Sequence, residues 1–233
     1  VMNVLFEESE SRTYIDENAS IYWHNGDRVA IFYGDDVNVE AAFEGSTGDK
    51  SGKIRPGESI NEIEATLFDA IYALYPYESG VAISNDGVIS FELPAEQSYT
   101  ESTFARGANA MAAVTESIND RTLSFRNLGS SLVLSLWGDA TIRSVRLTGN
   151  HGELLAGEAT AVVSYAAAPE LSIVGGGSTS VTLNCGEGVV LGNSQTTPTE
   201  FWIVLPPVEF AEGFTIEVED SDGRIFRKST TKR

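Results

Sequence analysis

Cysteine is nearly absent from this chain: its 233 residues include one, Cys185. No disulfide can form within it, so a packed core has to hold the fold. Histidine is almost as scarce, with only His24 and His151, and no Cys/His zinc site can be assembled. Basic residues are few, 15 Lys+Arg against 34 Asp+Glu, for a net charge of −19. A field of that sign repels phosphate backbones, so no nucleic-acid partner is expected; it suits a solvated exterior, cations or basic partners. Long hydrophobic runs are missing too, and none approaches the ~18 apolar residues of a membrane helix. Residues 1–11 hold no basic stretch followed by an apolar core, so no signal peptide is expected there.

The motifs of common chemistries are also lacking. Gly175-Gly176-Gly177 has no Lys-Ser/Thr after it to make a phosphate loop, and there is no Gly-x-Ser-x-Gly elbow or His-Glu-x-x-His. Cys185 closes the alternating run Val181–Cys185 and reads as a small, half-buried strand residue rather than a nucleophile. Asp220-Ser-Asp222-Gly223 starts like a calcium loop but lacks the later ligands, which leaves a hairpin turn. Gly34-Asp35-Asp36 reads as a solvated loop. A carboxylate pair such as Glu62/Glu64 would suit a glycosidase, yet with 34 acids such pairs arise by chance. The expectation is a non-enzyme with no catalytic residues, no metal ligands and no cofactor.

What is present is strand signal. Ile89–Leu93 and Phe214–Glu219 alternate apolar and polar residues, the period-two pattern of half-buried antiparallel strands. Met2–Phe6, Ile71–Tyr77, Leu132–Trp137, Arg143–Thr148, Ala159–Tyr165, Val181–Asn184 and Phe201–Leu205 read similarly. Asn25-Gly26 between Ile21-Tyr22-Trp23 and Val29–Phe32 predicts a hairpin, as Asp222-Gly223 does between Phe214–Glu219 and Arg224–Lys228. Gly149-Asn150-His151-Gly152 is a turn, Gly175–Ser178 a flexible loop or short linker, and Tyr99–Met111 a loop. Residues 60–68 fit a capped helix start and a strand about equally, Ser59 having Glu62 three residues on. The fold class is all-β. A boundary at Asp120-Arg121 gives domains 1–120 and 121–233, or else one extended sandwich.

Several segments occur in an order that resembles the fimbrillin-like family, the fimbrial and surface adhesion lipoproteins of Bacteroidales-type anaerobes. They are Ser11–Tyr14 with Ile21–Trp23 and Gly26-Asp27; Ala73–Tyr77; Leu93-Pro94-Ala95-Glu96-Gln97-Ser98-Tyr99; and Leu123–Leu128. Ile142–Asn150 with Leu155–Gly157, then Phe201–Pro207, Phe214–Ile216 and Asp220–Gly223, continue the series to the end of the chain.

The resemblance implies two transthyretin-like β-sandwich domains of antiparallel strands and no enzyme activity. It implies a fimbrial subunit or adhesin at the cell outer membrane, held there only through a lipid anchor outside this chain. Partners would be other pilus subunits, surface proteins, or a host or bacterial surface ligand. Family members are assembled by donor-strand insertion, in which an extended segment of one subunit completes the sheet of another. In some of them the first strand is removed by an Arg-specific protease. Arg12, after the alternating Met2–Phe6, is the matching candidate maturation site. The family usually carries one more strand after the position of Ser229–Arg233. A separate reading comes from Trp23, Trp137, Trp202 and eight tyrosines, a stock from which a carbohydrate-binding surface could be built. Trp23 and Trp202 sit inside strand runs, which favours packing for those two.

Overall fold

The computed structural model describes residues 2–6, 22–33, 36–56 and 68–231, with residues 3–6, 36 and 37 described by backbone alone. Among these there are eighteen strands and no helix, the all-β class that the alternation predicts. In chain order they are β1 (Met2–Phe6), β2 (Arg28–Tyr33), β3 (Asp36–Glu44), β4 (Ser51–Pro56), β5 (Tyr72–Tyr75) and β6 (Ala82–Ile83). Next come β7 (Val88–Leu93), β8 (Glu96–Ser98), β9 (Met111–Val114), β10 (Thr122–Asn127), β11 (Ser130–Leu136) and β12 (Thr141–Gly149). The last six are β13 (Ala156–Ser164), β14 (Ala167–Ser178), β15 (Ser180–Val190), β16 (Thr199–Leu205), β17 (Phe214–Asp220) and β18 (Ile225–Thr230).

The chain divides into two compact units. Unit 1 takes in Val1–Phe91, Ala110–Leu128 and Thr160–Ser172; unit 2 takes in Glu92–Asn109, Gly129–Ala159 and Ile173–Arg233. The sequence boundary at Asp120-Arg121 falls within the Ala110–Leu128 segment of unit 1. The chain passes between the units several times, which composition cannot register because sheet pairing joins distant segments.

In unit 1, seven strands close into a barrel in the order β1-β10-β9-β5-β2-β3-β4, and β4 returns to β1. Closure leaves no free sheet edge. The pairs are antiparallel except β1 with β10, which run parallel. From Val29 onward β2 is buried at every residue, so it reads as a continuous apolar run and not as an alternation. Trp23 lies in the core, stacked on Phe43 at 5.2 Å and met edge-on by Tyr75 at 5.6 Å and Phe125 at 5.2 Å. A Cβ on Gly45 would come within 2.5 Å of the Phe43 ring, and one on Gly52 would also collide with it, so these two glycines make room for the ring.

Asn25-Gly26 forms a turn, with Gly26 at φ +76° and the Asp27 N–H donating to the His24 carbonyl at 3.0 Å. It does not make the expected hairpin. Trp23 bridges to Asp49, and β2 pairs with β3 and β5. Burying the indole commits its backbone to the 46–49 turn, where Trp23 N–H donates to Asp49 O at 2.9 Å. Ile21 and residues 60–67 lie outside the described residues.

A four-stranded sheet has the order β14-β13-β7-β6. Gly175–Ser178, expected as a loop or linker, is the end of β14. These glycines allow close packing: a Cβ on Gly157 would lie 2.8 Å from the Gly177 Cα, and one on Gly177 would lie 2.7 Å from a Leu154 methyl.

Unit 2 is a sandwich. A five-stranded sheet, β18-β17-β12-β15-β8, shares one core with the two-stranded sheet β11-β16. Val145 and Leu147 of β12, Val181 and Leu183 of β15, and Val218 of β17 meet Phe201, Ile203 and Leu205 of β16. Burying each large side chain contributes about 1.5–3 kcal/mol. β17 and β18 form the hairpin that Asp222-Gly223 predicts, turning through Ser221-Asp222-Gly223 with Gly223 at φ +77°. That is a three-residue turn, one longer than the sequence suggests.

Candidate functional site

The site that the sequence resemblance singles out is the slot held by β1. Its backbone bridges two strands that have other support. On one side Asn3, Val4, Leu5 and Phe6 register in parallel with Thr122, Leu123, Ser124 and Phe125 of β10. On the other, Met2, Asn3, Val4 and Leu5 register antiparallel with Ile54, Lys53, Gly52 and Ser51 of β4. Met2 is 1% exposed within the aromatic core. β4 is also held by β3, through Ala41–Glu44. β10 is also held by β9. In addition, the Arg126 guanidinium donates to the carbonyls of Ser164 at 3.3 Å, Tyr165 at 3.1 Å and Ala167. Taking β1 away would expose the N–H and C=O groups of β4 and β10 beside Leu123 and Phe125, a ready template for another extended strand. Arg12, the candidate cleavage site, lies outside the described residues, as do residues 34 and 35 and the Glu62/Glu64 pair.

Other residues singled out in the sequence hold structure. Asp27, 3% exposed, accepts from the His24 N–H at 2.8 Å and from the Tyr75 hydroxyl at 3.4 Å. Asp220, 2% exposed, accepts from the N–H groups of Asp222 and Arg224, both at 2.9 Å, and from the Arg224 guanidinium at 2.7 Å. Its oxygens thus serve the hairpin turn. Burial pulls the Asp220 carboxyl upward, but the Arg224 backbone and guanidinium and the Asp222 N–H outweigh it and hold it below the usual value. Cys185 is buried, and desolvation pushes its thiol up to about 11. His151 is exposed, with Nδ1 3.3 Å from Glu212 Oε1.

The three tryptophans divide by environment. Trp23 is core; Trp202 is half-buried opposite Val133 on β11, its Nε1 donating to Glu200 at 3.2 Å; Trp137 is 49% exposed. Two polar residues of the resemblance motifs turn out to clamp unit 2. Gln97, of the Leu93–Tyr99 segment, bonds by its side-chain amide to the backbone of Val204. Asn150 donates to Glu212 O at 3.0 Å and accepts from the Thr215 hydroxyl at 2.7 Å. Spacing along the chain names these residues but not their partners, which are more than 60 residues away in each case.

No family model matches the sequence, and no curated protein matches it. The fold is similar to that of two solved structures. One is a candidate cell adhesion protein from Bacteroides uniformis ATCC 8492, with a TM-score of 0.53 at 13% identity, covering 88% of this chain and 78% of that one. The other is a candidate cell adhesion protein from Bacteroides ovatus ATCC 8483, with a TM-score of 0.51 at 15% identity, covering 89% of this chain and 77% of that one. At such identities the likeness is one of fold.

Proposed function

We propose that this chain is a non-enzymatic cell-surface protein, a fimbrial subunit or adhesin, that joins its neighbours by strand exchange at the β1 slot. The observation that carries the reading is the position of β1: it closes the barrel between two strands that are independently supported. The described part of both similar structures as candidate cell adhesion proteins supports it, as does the ordered series of fimbrillin-like motifs. Cleavage after Arg12 would release β1, and an extended segment of a second subunit would then pair with β4 and β10. The location is the outer membrane or fimbrium, with the lipid anchor lying outside this chain and other pilus subunits as partners.

Treating the full chain with an Arg-specific protease and following it by mass spectrometry and electron microscopy tests this. Loss of residues 1–12 followed by filament formation is expected, with Arg12→Ala blocking both. Filaments whose subunits all retain residues 1–12 would overturn strand exchange, and so would cleaved protein that takes up neither a second subunit nor a labelled Met2–Phe6 peptide.

A further inference from the structure

We draw no further inference here: the strongest candidate, the core-facing side of β17 and β18 in unit 2, where Phe226 lies 58% exposed in the row of Val145 and Val218, carries nothing, because nothing among the described residues shows what covers it.

Discussion

The side-chain amide of Gln97 pairs with the backbone of Val204 as a peptide group would: Nε2 donates to Val204 O at 2.8 Å, and Val204 N–H donates to Oε1 at 2.9 Å. Gln97 is 6% exposed, and its own strand, β8, runs parallel to β15 in the five-stranded sheet. One residue thus belongs to one sheet by its backbone and to the facing sheet by its side chain. The bond occupies β16 on the side away from β11 and satisfies two polar groups that burial would otherwise leave unmet.

Replacing Gln97 with Leu keeps the volume and removes both bonds. An unmet buried backbone group costs about 1–3 kcal/mol, so a loss of about 2–4 kcal/mol is expected by urea denaturation. A loss below about 0.5 kcal/mol would show that water takes over the role of the amide.

Trp23 and Trp137 should answer truncation differently. Trp23→Ala removes the centre of an aromatic cluster at 1% exposure and should cost about 3–5 kcal/mol. Trp137→Ala, at 49% exposure, should stay within about 0.5 kcal/mol of the parent. Equal losses in denaturation would contradict the placing of one in the core and the other on the exposed surface.

The strands legible in the sequence are those with one wet face. In β7 the alternation of Ile89, Phe91 and Leu93 with Ser90 and Glu92 follows the burial pattern residue by residue. In β2 it does not, because both faces are covered. Barrel closure was not legible either, since β1 pairs with strands that begin about 50 and 120 residues later and nothing local encodes that choice. The same limit hid the partners of Gln97 and Asn150, although the motifs containing them stood out. Gly175–Ser178 misled for a local reason: glycine marks flexible loops and close backbone approaches alike.

That close approach can be tested at Gly157. Its φ of +126° disfavours any side chain, and a Cβ would lie 2.8 Å from Gly177 Cα and 2.9 Å from Gly175 O. Gly157→Ala should destabilise the protein by about 1–3 kcal/mol, measured by thermal or urea unfolding. Gly176→Ala is a useful comparison, since its φ of +55° is strained but its Cβ would meet nothing within 4 Å. It should cost less, and the reverse order would place the tight contact elsewhere.

Cys185 should be inert in the folded protein. With its thiol pushed up to about 11, roughly one molecule in a thousand carries the thiolate at pH 8, and burial shields even that fraction. A disulfide-exchange reagent should leave the native chain unmodified over hours and titrate one thiol after denaturation. Rapid labelling of the native state would mean that β15 opens readily at its middle.

Asp220 should make the β17–β18 hairpin sensitive to acid. Its carboxyl is held below the ordinary value, so the folded state prefers the ionised form more than the unfolded state does. The resulting stability is fully present above the unfolded value of about 3.9 and is lost as pH falls from there through the lower folded value. Asp220→Asn keeps the shape and one acceptor but loses the charge that faces Arg224. The variant should be less stable than the parent at pH 7, and the gap should narrow as the parent is taken below pH 4. Urea unfolding of both proteins between pH 7 and pH 3 provides the measurement. A gap that stays constant, or widens toward acid, would mean that the carboxylate's charge contributes nothing to holding the turn.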